Sequence, residues 1–207
     1  QPAAGDGGTS IGAALYIYNT ILKNKREDVL KYAYLGPKYS KEEIKKFLDE
    51  NCIKHIEFKN DSELINTTAK LIYENHVIGW FQGRMEWGPR ALGARSILSN
   101  ACNPQMQEIL NTRVKHREKF RPFAPAVCVE DAEDYFECDK PIPLPTDFML
   151  MVYPVKQNKR KLIPAVTHVD GSGRLQTVRK EQNHKYWNLI KAFGKLSKVP
   201  ILINTSF

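Results

Sequence analysis

The run Val77-Ile78-Gly79-Trp80-Phe81, closed by Gly83, is short and apolar and ends at a residue that interrupts regular structure. Apolar residues without a polar alternation are typical of a strand that is buried on both faces of a sheet. Such a sheet needs helices on both sides to cover it, so this run favours an α/β domain.

The segments on either side of this strand alternate between helical and extended patterns. Helices are predicted at about 11–22, 41–50 with Ser40 as N-cap, 61–74 opened by Asp61 or Ser62, 104–114 and 181–193. Further strands are predicted at 53–57, 124–129, 148–153 and 200–204. This order predicts an α/β fold with a twisted mixed sheet flanked by helices.

The chain has 207 residues and a formal net charge of +8, and its length is enough for one sizeable hydrophobic core. The four cysteines form no C-x-x-C pair, so they predict reduced thiols rather than a zinc site or a disulfide framework. No apolar run reaches the roughly 20 residues of a membrane span, and no signal-peptide pattern is recognisable. These features predict a soluble cytoplasmic protein whose charge suits nucleic acid, acidic membranes or small polyanions.

The segment from Gly83 to Ser96 contains Arg84, Arg90 and Arg95 among glycines and a proline. Glycine and proline disfavour both helix and strand, so a loop is predicted. Glycine lets backbone N–H groups approach an anion, and arginine offers a forked donor for phosphate or carboxylate oxygens. The alternative is that Arg84 and Arg95 pair with Glu86 or another acid and only hold the loop together.

A second basic segment, Lys115 to Ala126, leads into the strand predicted at 124–129. Lys115 and Arg117 are two residues apart in a segment predicted to be extended, which places them on one face where both can contact one anion. Strand ends in an α/β sheet are common ligand sites. A solvated run of charges is the alternative, and it is preferred for Lys119.

Two further segments place polar residues near strand ends. Arg174 follows an Asp-Gly-Ser-Gly turn at 170–173, a pattern that is common in hairpins. His168 is a candidate general base, although a single histidine on a strand is more often structural. The tripeptide Asn204-Thr205-Ser206 ends the last predicted strand, where a ligand site and a plain polar turn are equal alternatives.

No Ser-His-Asp order, P-loop lysine or carboxylate pair is recognisable in these segments. The candidate site is therefore rich in positive charge and poor in nucleophiles. Such a site suits a reaction whose substrates already carry leaving groups, because positioning and neutralisation of phosphate charge then supply most of the catalysis.

These segments together resemble the C-terminal region of the O-carbamoyltransferases of nodulation and antibiotic biosynthesis. The resemblance is carried, in order, by residues 83–96, 115–126, 167–178 and 204–207. It implies a domain similar in fold to the threonylcarbamoyl-adenylate synthases, which joins carbamoyl phosphate and ATP into carbamoyladenylate. An actin-like N-terminal domain, whose last motif resembles Pro2 to Gly8, then passes the carbamoyl group to a substrate hydroxyl with the help of a metal ion.

The resemblance also implies roles for individual residues. Lys115 and Arg174 are expected to be catalytic and to hold carbamoyl or phosphate oxygens, while Ser206 binds nucleotide or phosphate. The other expected substrate- and nucleotide-binding residues are Arg84, Arg90, Arg95, Arg117 and Arg121. Asp6 resembles a ligand of the transfer domain's divalent metal, iron-like or Mg²⁺. Its histidine partners are missing from this sequence, so no metal is expected in this chain.

The same resemblance sets the expected domain boundaries. Residues 1–35 are predicted to be the tail of the actin-like domain plus a linker, and residues 36–207 a C-terminally truncated carbamoyltransferase domain. Two departures from the family pattern stand out. The turn reads Gly171-Ser172-Gly173-Arg174 instead of Gly-Thr-Ala-Arg, and the chain stops where an asparagine would follow Phe207, which removes one expected substrate contact.

The alternative function is a noncatalytic basic module that binds RNA or another polyanion. Its support is the net charge and the aromatic residues near arginines, which are Trp80, Phe81, Trp87, Phe120 and Phe123. Several of these lie in apolar runs and are more simply core residues. On the preferred interpretation the partners are carbamoyl phosphate, ATP and a hydroxyl-bearing small molecule or glycan, without a membrane or nucleic acid.

Overall fold

The computed structural model describes residues 1–26 and 30–207. Its centre is a six-stranded sheet with the strand order β1-β2-β6-β3-β5-β4. The strands are β1 Ile78–Phe81, β2 Arg95–Asn100, β3 Ala124–Cys128, β4 Met151–Pro154, β5 Ser172–Val178 and β6 Ile201–Thr205. Within this sheet β3 and β5 are parallel and the other neighbouring pairs are antiparallel. The predicted α/β fold with a mixed sheet is confirmed.

The described residues also form α-helices. They are α1 Thr9–Tyr16, α2 Lys41–Glu50, α3 Asp61–Tyr73, α4 Met106–Ile109, α5 Ala132–Tyr135 and α6 His184–Ser197. Two of them continue into π-helical turns, α1 at Ile17–Ile21 and α4 at Leu110–Val114. The helices α3 and α6 pack on one face of the sheet, and α4 and α5 pack on the other. Within the described part of the chain, none of the helices combines the length and apolarity needed to cross a bilayer.

Side-chain caps explain where the longer helices begin. Ser40 accepts a hydrogen bond from the Glu43 N–H, and the Glu43 carboxylate accepts one from the Ser40 N–H, which is a complete capping box at the predicted start of α2. The helix α3 begins at Asp61, as predicted, and its N-cap is Asn60, which is one residue before Asp61 and two before Ser62. Asn183 caps α6 in the same way.

The two faces of the sheet bury separate apolar clusters. One face packs against α3 and α6, and its cluster includes Ile65, Ile72, Leu98, Ala126, Tyr186, Leu189 and Leu202. The other face packs against α4, α5 and the loops around residue 165, and its cluster includes Ile97, Met106, Leu110, Val127, Phe136, Leu175 and Ile203. Helices and loops on both faces leave the strand ends as the accessible parts of the sheet.

Two predictions about β1 and the loop after it are wrong. Ile78–Phe81 is an edge strand in which Trp80 is buried while Phe81 is 50% exposed, so the strand is not buried on both faces. An apolar run does not specify which of its faces the fold will cover. The predicted loop at 83–96 is shorter than expected, because Arg95 and Ser96 already belong to β2 and pair with β1.

Two further strand predictions also need correction. Residues 53–57 form no strand and pair with none of the described strands, and Ile56 is 82% exposed. The strand predicted at 148–153 is Met151–Pro154, because Leu144–Phe148 form a 3-10 helix that ends in left-handed Met149.

Residues 33–38 run alongside the loop that follows β1. The Trp87 N–H donates to the Ala33 carbonyl at 2.6 Å, and the Met85 N–H donates to the Pro37 carbonyl at 2.8 Å. Ala33 is buried at this contact. The boundary at residue 35 and the actin-like origin of residues 1–35 stay predictions, and residues 33–38 pack against the domain that carries the sheet.

Candidate functional site

The loop between β1 and β2 is built around the carboxylate of Glu86, which is 7% exposed. Its Oε1 accepts hydrogen bonds from the backbone N–H groups of Leu92 and Ala94 at 2.7 Å and of Arg95 at 3.3 Å. Glu86 therefore holds the loop through backbone groups, and not through ion pairs with the side chains of Arg84 or Arg95.

The carbonyl groups of the same loop are held by side chains from the sheet. Asn204 on β6 donates to the Ala91 carbonyl at 3.0 Å, and Gln176 on β5 donates to the Leu92 carbonyl at 2.9 Å. Gly93 has a φ of 102°, a conformation that glycine adopts without strain. These hydrogen bonds therefore fix the loop, including Arg90, on the sheet before any ligand binds.

A cavity of about 110 Å³ lies where β6 ends and β3 and β5 begin. Its wall includes Arg90, Arg117 and Arg174, together with Asn204 and Ser206. The sheet register accounts for this meeting, because β6 is antiparallel to β3 while β5 is parallel to β3. The structure thus brings together residues from each of the four segments that the sequence singled out.

Lys115 lies beside this cavity and contacts the end of β6. Its Nζ donates to the Ser206 carbonyl at 2.7 Å and lies 3.4 Å from the Ser206 Oγ. The prediction that Lys115 and Arg117 share one face of an extended segment is wrong. Lys115 has helical dihedral angles at the end of the π-helical turn, and His116 is left-handed with a φ of 46°. This left-handed residue redirects the chain between the two cations.

The arginines of the cavity differ in how they are held. The Nε of Arg117 donates to Asn111 at 2.7 Å, and its guanidinium lies 4.9 Å from the centre of the Phe123 ring. The Nε of Arg174 is buried and has no hydrogen-bond partner. Burial, followed by the charges of Arg90 and Arg117, lowers the pKa of Arg174. Arg174 is therefore a donor in need of an acceptor.

The cations of this site have no ion-pair partner among the described residues. None of the described carboxylates forms an ion pair with Arg90, Lys115, Arg117 or Arg174. Burial, followed by the charge of Arg117, lowers the pKa of Lys115. Like charges that are partly withdrawn from water and lack counter-charges favour the binding of an anion.

The other predicted binding residues are not part of the wall of the small cavity. Arg84 donates to a backbone carbonyl and lines a separate cavity of about 850 Å³. The Arg95 guanidinium lies 3.6 Å from the centre of the Phe81 ring. Arg121 pairs with Glu118 at 2.7 Å on the surface. Their binding roles stay predictions, and these three contacts hold local structure.

Asp6, the predicted metal ligand of the longer enzyme, is exposed. Among the described residues, the one group of three side chains able to share a metal ion is Cys128, Glu130 and Asp131, and Lys191 pairs with both of those carboxylates. Asp6 is not part of that group. The residues present therefore do not fit the divalent metal that the resemblance implies at Asp6.

His168 takes part in a local turn network. Its Nδ1 lies 3.1 Å from the Ser172 Oγ, and that hydroxyl donates to Asp170 at 2.7 Å. Burial lowers the pKa of His168, so the ring is neutral at neutral pH. His168 is absent from the wall of the small cavity, and this arrangement fits the structural alternative.

Three residues that shape the site gave no recognisable signal in the sequence. Glu86 and Gln176 hold the loop after β1, and the hydroxyl of Tyr34 donates to the Leu92 carbonyl at 2.9 Å. Gln176 is buried in β5 with Arg174 and Thr177 on the same strand, so a polar residue at this position does not stand out in the sequence. The hydrogen-bond partner of Gln176 is determined by the tertiary structure and cannot be predicted from the neighbouring sequence.

A family model described as Carbamoyltransferase C-terminus matches residues 69–207. The chain belongs to the carbamoyltransferase C-terminus family. All cavity residues named above lie inside the matched range, whereas Asp6 and residues 33–38 lie before it.

Relatives of this carbamoyltransferase-family chain include two nodulation proteins. Nodulation protein NolNO of Sinorhizobium fredii is 44% identical over 211 residues, which cover 100% of this chain and 30% of that protein. Nodulation protein NolO of Bradyrhizobium diazoefficiens is 40% identical over 208 residues, covering 100% of this chain and 38% of that protein. An uncharacterized protein of Synechocystis sp. is 40% identical over 232 residues, which cover 100% of this chain and 37% of that protein. The chain spans about a third of the length of the curated relatives it matches.

Proposed function

We propose that this domain forms carbamoyladenylate from carbamoyl phosphate and ATP as part of a longer O-carbamoyltransferase. The observation that carries the proposal is the meeting of Arg90, Lys115, Arg117 and Arg174 around one cavity without a described carboxylate partner. Family membership supports a carbamoyl group as the group transferred. An acyl phosphate supplies the negative charge that such a site lacks.

The dimensions of the cavity agree with a small anionic group. Its volume of about 110 Å³ is well below the roughly 300–1,000 Å³ of pockets that enclose drug-sized ligands. The cavity suits the acyl phosphate, and the remainder of ATP extends beyond it in this proposal.

The proposed reaction consumes carbamoyl phosphate, ATP and one water, and it releases carbamoyladenylate, inorganic phosphate and pyrophosphate. Lys115 and Arg174 hold phosphate oxygens and neutralise the charge that develops on them. Ser206 offers its hydroxyl next to the Lys115 ammonium. The reacting groups are all on the substrates, so the protein contributes positioning and electrostatic stabilisation.

The second half of the reaction belongs to the longer protein in this proposal. An actin-like domain with a divalent metal passes the carbamoyl group to the hydroxyl of a small molecule or glycan. The proposed location is the cytoplasm, where ATP is supplied.

Substitution of the two proposed catalytic cations in the full-length enzyme tests the proposal. Lys115→Ala and Arg174→Ala each remove a charge-assisted contact worth about 2–4 kcal/mol at the transition state, a rate loss of about thirtyfold to a thousandfold. Carbamoyladenylate formation from carbamoyl phosphate and ATP is measured first. Chemically made carbamoyladenylate is then supplied to the same variants, which should still complete the transfer.

Lys119→Ala is the matched control, because it removes one positive charge from a surface pair with Glu108. Its rate should stay within about twofold of the wild type. Full adenylation activity in folded Lys115→Ala and Arg174→Ala variants would refute the assignment. RNA binding that falls steeply with salt and is indifferent to carbamoyl phosphate would favour the polyanion-binding module instead.

A further inference from the structure

Asn204 is the least exposed polar residue in the wall of the small cavity, at 1%. Both hydrogens of its amide are used, because Nδ2 donates to the Ala91 carbonyl at 3.0 Å and to the Gln176 Oε1 at 2.6 Å. Gln176 is itself oriented by its bond to the Leu92 carbonyl. The Asn204 amide therefore cannot be turned around without placing oxygen against oxygen.

This orientation leaves the Asn204 Oδ1 buried without a hydrogen-bond partner. A buried acceptor without a donor is unfavourable, so a partner is expected when the site is filled. The Arg174 Nε in the same wall is also buried and unpartnered, and it needs an acceptor. A single ligand that satisfies both groups carries an oxygen acceptor and an N–H or O–H donor, and the positive charge of Arg174 favours an anionic acceptor.

We propose that the Asn204 Oδ1 accepts a hydrogen bond from the amino group of carbamoyl phosphate and so selects a carbamoyl group over other acyl groups. This inference rests on the proposed function. The cations of the cavity recognise the phosphate, which all acyl phosphates share, and they cannot distinguish one acyl group from another. Acetyl phosphate has a methyl group where carbamoyl phosphate has NH₂, so it leaves Oδ1 unpaired.

The experiment measures binding of carbamoyl phosphate, acetyl phosphate and inorganic phosphate to the full-length enzyme by calorimetry. The wild type should prefer carbamoyl phosphate over acetyl phosphate by about tenfold or more, because a site that hydrogen-bonds a substrate group rejects the analogue without it. Asn204→Leu should bring this ratio to about one. The ratio is the informative quantity, because a general weakening of the cavity affects both compounds equally.

Two further variants separate the proposed role from a structural one. Asn204→Asp keeps an oxygen acceptor but loses the amide donors, so it should weaken both ligands and retain the preference for carbamoyl phosphate. Gln176→Leu removes one partner of the Asn204 Nδ2 and leaves Oδ1 untouched, so it should also retain the preference. These two variants keep the inference testable where Asn204→Leu does not fold.

The outcomes distinguish this inference from the proposed function. If the wild type and Arg174→Ala bind phosphate with the same affinity, the assignment of the cavity itself is refuted. It is also refuted if the wild type does not bind phosphate. Phosphate binding that depends on Arg174, combined with equal affinity for the two acyl phosphates, would overturn the role of Asn204. An undiminished preference in folded Asn204→Leu would overturn it as well.

Discussion

At the level of single residues, the carboxylate of Glu86 is the acceptor for backbone N–H groups in the glycine-rich loop after β1. Backbone N–H groups in such a loop were expected to face a ligand. Three of them instead face the Glu86 carboxylate, which acts as an internal anion. The loop contributes Pro89, Arg90 and Ala91 to the cavity wall, and its backbone N–H groups that face Glu86 serve to hold the loop in place.

Removal of this internal anion should destabilise the fold. Glu86→Ala leaves backbone N–H groups buried without an acceptor, so the free energy of unfolding should fall by about 2–4 kcal/mol. Urea denaturation measures the change. The control is Glu108→Ala, whose carboxylate pairs with Lys119 at the surface and should cost less than about 1 kcal/mol. Equal losses in the two variants would contradict this account of the loop.

The lowered pKa of Lys115 predicts a pH dependence for anion binding. The ammonium is charged below its pKa, so affinity is full at lower pH and declines as the pH rises through that lowered pKa. Sulfate is a suitable probe because its own charge is constant in this range. The decline should begin at lower pH than for an ordinary lysine.

The control for this pH profile follows from its cause. Arg117 is the neighbouring charge that lowers the pKa of Lys115, after burial. Arg117→Gln should therefore move the decline in sulfate affinity to higher pH, besides weakening binding. If the pH profile of sulfate affinity is identical in the wild type and Arg117→Gln, the charge of Arg117 does not lower the pKa of Lys115.

At the residue scale, the sequence singled out charged groups whose local context is unusual, and the structure places two of them in one cavity wall. Arg90 and Arg174 lie among glycines and turns, where a solvated helix face cannot explain them. Glu86 and Gln176 gave no such signal, because their importance depends on which backbone groups the fold brings to them. The sequence thus pointed to the cations of the candidate site and not to the residues that hold the loop in place; the binding roles of those cations stay predictions.

Among the secondary-structure elements, helices were predicted better than strands. The capping box at Ser40 is a local interaction, and it fixed the start of α2 in both sequence and structure. β2 is instead defined by pairing with β1 on one side and β6 on the other. Such long-range pairing is invisible in a local pattern, which also explains the strand wrongly predicted at 53–57.

The segment at 33–38 is tied to the site by one hydroxyl group. Tyr34 donates to the Leu92 carbonyl and accepts from Asn183 at 3.0 Å. Tyr34→Phe should lower the free energy of unfolding by about 1–2 kcal/mol in chemical denaturation. Tyr39→Phe, at an exposed ring in the following residues, should change it by less than about 0.5 kcal/mol. A Tyr34→Phe variant as stable as the wild type would mean that this tie is dispensable.

Across the whole molecule, the net charge of +8 is unevenly compensated. Lys41 and Lys45 share Glu57, and Lys191 contacts two carboxylates. The cations of the cavity have no such partners among the described residues. The overall charge alone did not choose between nucleic acid, acidic membranes and small polyanions, and its distribution in the structure favours a small anion.

The aromatic residues that supported an RNA-binding alternative are mostly unsuitable for stacking. Trp80 and Phe123 are buried, and the ring of Phe81 is covered by the Arg95 guanidinium. Phe120 is exposed at 76%. Bases stack on free ring faces, so the case for that alternative weakens once the fold is known.

The π-helical turn at Leu110–Val114 makes the site sensitive to chain length as well as to residue type. An α-helix advances by about 100° per residue, so one residue more or less in this turn resets the direction in which the next side chain leaves the helix. That side chain is Lys115. A single-residue insertion or deletion here would turn the ammonium away from Ser206 with every functional residue still present. Comparisons of family members by residue identity alone would therefore overlook a change of geometry that alignment gaps reveal.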